Sequence, residues 1–397
     1  MKTSDRLTRL PGYPLAEIPS IKRRLLLEGR DVIDLGAGDN DAPPPPSVVR
    51  ALQEAVLDPA LSKYGFQQGL FAFREAIVRY MDRRFGLQFD PVTEVLPLIG
   101  SKEGIAHLPL AVLNSGDLAI VPEPGYQAYL GGTVLAGGDP YIAPLRAERE
   151  FLLELDDVPA DALARARIVF LNYPNNPTAA VATREYLERT VASCRRHGIV
   201  LAYDNAYCDL TFDGYVAPSI FEFPGARDVA VEFFSVSKTF SMTGWRLGWA
   251  VGQPELIAAL SKVKSYVDTG PFLAVQRAAV EALDHAEALS APLRDELARR
   301  RDAGVEALDR AGFRIAPPRA AIYLWVPLPH GVTSGPFARR ALEQDAVVVL
   351  PGTGFGPAGE GYFRIALTVS ADRLAEGVAR LGRALERVQE RVVAETA

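Results

Sequence analysis

The sequence predicts an α/β protein, a mainly parallel sheet covered by helices, with a smaller α+β unit formed by both chain ends. Three observations carry this. Short β-rich apolar runs alternate with stretches of helical period; most of those runs end in a polar residue; and from about Pro317 onward the pattern changes to strands closed by a charged helix. The runs are residues 117–121, 166–172, 199–204 and 229–235. Their polar ends are where the sites of such sheets gather.

Leu70, Phe73, Ala76, Ile77, Tyr80 and Met81 trace one face of a helix that stops before Gly86. Between the second and third runs, residues 183–197 read as a crossover helix. Thr183 is its N-cap, Glu185 lies in the first turn, Arg195, Arg196 and His197 lie in the last, and Gly198 follows the end. Residues 254–267 and the stretch from 274 to about 311 also read as helices, the second broken near Ala291-Pro292. Strands are expected at 321–326, 346–350 and 362–368. The run Pro43 to Pro46 is stiff enough to cross between units. These features place a large α/β domain at 46–285 and the smaller one at 1–45 and 286–397.

The chain has 397 residues, 48% of them hydrophobic, and 43 Lys plus Arg against 49 Asp plus Glu give a formal charge of −6. At about 150 residues per domain, two or three folding units are expected. Cys194 and Cys208 cannot build a disulfide framework, and residues 1–10 alternate charged and apolar side chains instead of forming a signal-peptide core, so a cytoplasmic setting is expected. No apolar stretch approaches the roughly 18 residues of a membrane span, and the acidic excess offers no broad basic face for nucleic acid. His107, His197, His285 and His330 are scattered and no CxxC occurs, so no metal site is expected. Gly352, Gly354 and Gly356 lack the acidic residue about 20 positions on that dinucleotide binding requires.

The segment from Ser235 to Trp249 is the most informative. Lys238 follows a strand among hydroxyl residues, and Arg246 comes eight positions later. Lysine forms Schiff bases with carbonyl compounds, whereas hydroxyls and a guanidinium suit a phosphate dianion, so together they ask for a phosphorylated aldehyde. A solvated loop lysine is the competing account. Asp204 ends the third run, with Tyr207 three residues on. A carboxylate fixed there could keep the pyridine nitrogen of pyridoxal phosphate protonated, and Tyr207 could donate to the ring's phenolic oxygen; a turn cap and a packed ring would look the same in sequence. In Asn172-Tyr-Pro-Asn-Asn-Pro-Thr178 two prolines restrict how Asn176 is presented, in a binding loop or a plain turn. Ser101 and Lys102 open a helix whose first N–H groups could cradle phosphate, or merely start a helix. Arg364 lies within an apolar strand and needs an anion, either a structural partner or a substrate carboxylate.

With these motifs in this order, the sequence resembles the fold-type I pyridoxal-phosphate aminotransferases of the aspartate aminotransferase superfamily over nearly its whole length. Gly36-Ala-Gly38, Lys63-Tyr-Gly65, Gly100-Ser-Lys102, Asn175-Asn-Pro-Thr178, Tyr203 to Tyr207, Ser235-Val-Ser-Lys238 and Phe363-Arg364 carry the likeness. The resemblance implies a seven-stranded type of sheet and pyridoxal 5'-phosphate as cofactor. It implies that Lys238 carries the Schiff base and shuttles the proton, Asp204 pairs with the pyridine nitrogen, and Asn176 and Tyr207 bind the phenolic oxygen. Ser101, Lys102, Ser235 and Arg246 would hold the phosphate, Tyr126 would stack on the ring, and Arg364 with the Gly38 backbone would take the α-carboxylate. Tyr64 resembles the tyrosine that reaches the phosphate of a neighbouring subunit, which implies a homodimer with shared sites. The implied reaction is ping-pong transfer of an amino group between an amino acid and a 2-oxo acid; a β-lyase on the same fold and a cofactor-free regulatory protein are the alternatives.

Tyr13 to Ile18 and Gly100 to Ile105 look most like the LL-diaminopimelate aminotransferase group, which places Tyr13 and Gln67 near the substrate side chain. Two positions depart from the common pattern: Asn40 stands where Gly-Asp-Pro has its proline, and Gln67 stands where plant-type members have a glutamate. A neutral amide attracts a distal ammonium far less than a carboxylate does, which leaves another amino donor open.

Overall fold

The apolar runs assemble into one seven-stranded sheet in the computed structural model, which describes residues 3–12 and 17–396, with side chains to residue 388. Its strands are β1 (Val95–Leu98), β2 (Leu118–Glu123), β3 (Asp139–Pro144), β4 (Ala166–Leu171), β5 (Val200–Asp204), β6 (Ala230–Ser235) and β7 (Gly248–Gly252). Their order across the sheet is β1-β7-β6-β5-β4-β2-β3. Neighbours are parallel except around β7, which runs against both β1 and β6.

Helices on both faces explain why the central strands read as unbroken apolar runs instead of alternating ones. Ile168, Val169, Phe170 and Leu171 are all buried although successive side chains point to opposite faces. Three strands escaped the sequence reading for local reasons. β1 and β3 lie at the sheet edges and contain Pro97, Pro140 and Pro144, which argue against a strand when read alone. β7 has only three side chains between two glycines.

The helix read around residues 70–81 is α1 (Phe71–Phe85), which buries Phe73, Ala76, Ile77, Tyr80 and Met81 and ends at Gly86, where φ is +69°. Next come α2 (Ser101–Val112) and the crossover α3 (Arg184–His197) between β4 and β5. The Thr183 hydroxyl accepts the Tyr186 N–H at 3.2 Å, as an N-cap should, and Gly198 takes a left-handed conformation at the other end. Then follow α4 (Pro254–Val267), α5 (Leu273–Asp284) and α6 (Ala286–Arg310). The expected break near Pro292 is not where the chain turns: it turns at His285, and Pro292 is carried inside α6. A proline ring removes one backbone hydrogen bond, and burial of Ser290 and Leu297 on either side holds the helix through that loss.

A second, three-stranded antiparallel sheet contains β8 (Tyr323–Pro327), β9 (Leu350–Pro351) and β10 (Tyr362–Ala366) in the order β9-β10-β8. The strand expected at 346–350 divides, because Val347–Val348 pairs in parallel with Ile33–Asp34 near the other chain end. The final helix α7 (Ala371–Thr396) packs along α6. Ile33, Leu35, Phe313, Leu324, Phe363 and Leu374 share an apolar cluster separate from those on the large sheet. Among the described residues no helix is long and apolar enough to cross a membrane.

Candidate active site

Polar residues at the carboxyl ends of β4, β5 and β6 converge on one pocket of about 260 Å³, lined among others by Ser101, Tyr126, Asn176, Asp204, Lys238 and Arg364. β5 delivers Asp204 as its last residue and β6 ends at Ser235. Lys238 follows on a one-turn helix (Val236–Thr239), and its Nζ donates to the Gly38 carbonyl at 2.5 Å. The N-terminus of α2 brings Ser101 and Lys102, and the second sheet brings Arg364 and Tyr323.

Two glycines set the spacing at the Ser101 end. A Cβ on Gly100 would stand 2.5 Å from Arg246 Nη2, and one on Gly248 would stand 2.7 Å from the Ser101 nitrogen. A helix N-terminus, a guanidinium and the Ser235 and Ser237 hydroxyls therefore share one end of the pocket, which is anion-binding chemistry.

At the other end Arg364 is buried, yet its partners are neutral. Nη1 donates to Asn176 Oδ1 at 2.7 Å and Nη2 to the Gly36 carbonyl at 2.8 Å, while Nε has no acceptor. Its guanidinium lies over the rings of Tyr323 (4.0 Å) and Phe355 (4.8 Å). Among the described residues no carboxylate pairs with it, so the structural salt bridge weighed from the sequence is absent there. Asn176 commits its carbonyl to Arg364 and keeps its NH₂ for donation.

Asp204 is buried, and its Oδ2 accepts the Tyr129 hydroxyl at 2.8 Å. Oδ1 has no partner, and burial pushes the carboxyl up to about 6, against hydrogen bonds from Tyr129 and the Ala206 N–H that pull it down. Four cationic side chains, Lys102, Lys238, Arg246 and Arg364, line the pocket with this single carboxylate, and none of the four forms a salt bridge among the described residues. Such a cleft concentrates anions, and its one carboxylate asks for a cation.

A sequence model of the family described as aminotransferase class I and II matches residues 30–381. The chain belongs to that family. It is an enzyme, a transaminase. Over 383 residues, 96% of this chain and 99% of the relative, it is 46% identical to an LL-diaminopimelate aminotransferase of Nitratidesulfovibrio vulgaris. A protein of the same description from Aquifex aeolicus is 46% identical over 378 residues, 95% of this chain and 98% of that relative. Among solved structures, a probable N-succinyldiaminopimelate aminotransferase from Thermus thermophilus superposes with a TM-score of 0.89 at 39% identity, covering 94% of this chain and all of that one. Substrate-bound BacF from Bacillus subtilis gives 0.93 at 34%, covering 96% and 98%.

Of the site residues read from the sequence of this aminotransferase, Ser101, Lys102, Tyr126, Asn176, Asp204, Tyr207, Ser235, Lys238, Arg246 and Arg364 meet in the pocket, and Gly38 borders it through Lys238. Two do not reach it within one chain: Tyr64 is 74% exposed, and Gln67 lines an outer groove with Gln68 and Lys262. Tyr13 falls outside the described residues. Several contributors have roles that the sequence did not assign. Asn172 joins two loops, donating to the Asp204 carbonyl at 2.7 Å and accepting the Asn176 N–H at 2.7 Å. Asn40, which departs from the family pattern, donates to the Lys238 carbonyl at 2.9 Å and so ties its loop to the lysine. Glu103, His107 and Asp268 come within metal-ligand reach of one another, a cluster that the scattered histidines did not suggest. The fully buried Lys264 ammonium donates to Glu103 at 2.7 Å and to Asp268 at 3.0 Å, anchoring the start of α2 to the end of α4.

Proposed function

We propose that this transaminase moves an amino group between an L-amino acid and a 2-oxo acid using pyridoxal 5'-phosphate at Lys238. The observation that carries the reading is the charge layout of one pocket, with cations and a helix N-terminus at one end, a buried carboxylate lacking a partner for Oδ1 beneath, and an arginine without a carboxylate at the other end. The residues fit the cofactor. Ser101, Lys102, Ser235 and Arg246 would hold its phosphate, Asp204 would offer Oδ1 to the pyridine N–H, Tyr126 would cover the ring, and Asn176 and Tyr207 would donate to the phenolic oxygen. Bound there, pyridoxal phosphate supplies a sink for the charge left when the α-proton is removed.

Arg364 and the Gly38 backbone would fix the substrate α-carboxylate; the free Nε and the two flanking rings favour a planar anion. With the α-carboxylate held there, Lys238 Nζ would be the base that takes the α-proton and the acid that gives one back. Ionised Asp204 would stabilise positive charge on the pyridine ring.

The names of relatives at 46% identity support LL-diaminopimelate as amino donor; the proposed acceptor is 2-oxoglutarate. The test is a donor panel of LL-diaminopimelate, glutamate, aspartate and alanine, following the absorbance of the cofactor-loaded protein and the formation of a new amino acid from 2-oxoglutarate. LL-diaminopimelate should give the fastest change. Amino-group transfer from none of the four would sink the proposal, and steady release of ammonia and pyruvate would move it to elimination.

A homodimer with shared sites belongs to the same proposal. Tyr64 and Phe66 project from a loop packed against residues 270–273, with exposed Phe272 beside them and exposed Tyr266 and Val267 nearby in the chain, an apolar surface that a second copy would cover. Sedimentation is expected to give a dimer, and Tyr64→Ala to weaken cofactor retention; a monomer that holds its cofactor fully would contradict this. Residues 46–285 would form the cofactor-binding unit, with 1–45 and 286–397 the smaller one, a division supported by the confinement of the large sheet to 95–252. A cytoplasmic setting is supported by two buried cysteines that are both free thiols.

A further inference from the structure

Tyr323 was invisible to the sequence reading, yet it lines the pocket. Its hydroxyl lies 2.9 Å from that of Tyr207, and both side chains are buried, their rings meeting edge to face at 5.7 Å. The pair joins the two sheets, since Tyr207 follows β5 and Tyr323 opens β8. Its geometry is fixed by a short backbone clamp. Phe212 N donates to the Arg319 carbonyl at 2.8 Å, Ala321 N donates to the Leu210 carbonyl at 2.9 Å, and Thr211 and Ala320 form an isolated antiparallel bridge. Ala321 takes φ +69° to make that contact, a conformation a non-glycine residue adopts only when its surroundings impose it. Gly38 is shaped to the same hydroxyl, because a Cβ there would stand 2.9 Å from the Tyr323 oxygen.

Each phenol has one proton to give. If Tyr207 gives its single proton to the cofactor's phenolic oxygen, as in the proposed function, the proton shared between the two hydroxyls has to come from Tyr323. Tyr207, kept neutral by burial, then has its own proton free for the pocket. We infer that Tyr323 is a positioning residue for the transamination site: it donates to Tyr207 and thereby directs the Tyr207 proton toward the cofactor's phenolic oxygen. This rests on the cofactor reading above. The groups that face the pair are Arg364, Asp204 and Lys238, with Tyr126 and Arg246 across the pocket.

A donor at the phenolic oxygen drains the negative charge that holds the proton on the adjoining Lys238 nitrogen, so weakening the donor raises the pH at which that proton leaves. The experiment is a spectrophotometric pH titration of cofactor-loaded wild type, Tyr323→Phe, Tyr207→Phe and the double variant, with thermal unfolding as a control for the fold. Tyr323→Phe should raise the midpoint by roughly half a pH unit and Tyr207→Phe by more. In the Tyr207→Phe background, Tyr323→Phe should add nothing, because the effect passes through Tyr207. A Tyr323→Phe midpoint equal to wild type overturns the inference, as does an equal shift in both backgrounds. Wild-type protein with no pH-dependent cofactor absorbance would overturn the cofactor reading, and this inference with it.

Discussion

Lys238→Ala is expected to reduce amino-group transfer by about 10⁴-fold or more while leaving the fold intact. Lys238 is the one lysine at the end of β6, and its Nζ is held only by the Gly38 carbonyl, without a carboxylate partner among the described residues. Among the described residues the other lysine lining the pocket is Lys102, whose Nζ stands over the Tyr126 ring, and the buried Lys264 is engaged by Glu103 and Asp268. Because the Lys238 side chain borders a cavity, truncation opens no core void, and the unfolding midpoint should stay close to wild type. The check is turnover measured beside thermal unfolding. Retention of wild-type turnover would show that the catalytic amine lies elsewhere.

Asp204→Asn should separate function from stability. Transfer should fall by roughly 10²–10³-fold, because an amide cannot stabilise a protonated pyridine as a carboxylate does. The cofactor-free protein, in contrast, should become more stable at alkaline pH. Asp204 has its folded-state pKa raised from 3.8 to about 6 by burial. A carboxyl raised in this way contributes fully below its unfolded value, and the contribution is lost as pH rises through 6. Above pH 6 the buried charge costs the folded state about 3 kcal/mol, which the asparagine does not incur. Urea unfolding of both proteins without cofactor should show the variant ahead at pH 8 and the gap closing toward pH 4. Glu232, pushed up to about 8 by burial among Asn205 and Ser219, is present in both proteins and cancels in the comparison. Equal stability at pH 8 would mean that the carboxylate is better solvated than its surroundings indicate.

What the sequence made legible was local. Asp204, Ser235 and Lys238 stood out because polar residues terminate apolar runs, and a parallel sheet buried on both faces writes itself as such runs. Arg364 stood out because a charge inside an apolar strand demands a partner. The missing pieces depend on long-range geometry. Tyr129 reaches Asp204 across 75 residues and Tyr323 reaches Tyr207 across 116, so neither could be told from an ordinary core aromatic. β7 is too short and glycine-rich to register as a strand, although it places Gly248 against the Ser101 nitrogen. Tyr64 and Gln67 show the reverse case, since motif order brought them into the site while one folded chain leaves them outside its pocket.

The most direct measurement is to load the protein with pyridoxal 5'-phosphate, reduce it with borohydride, digest it and locate the modified residue by mass spectrometry. The adduct is expected on the peptide containing Lys238 and on no other lysine. An unmodified Lys238 peptide, or a stoichiometric adduct on a different lysine, would contradict the assignment of this pocket.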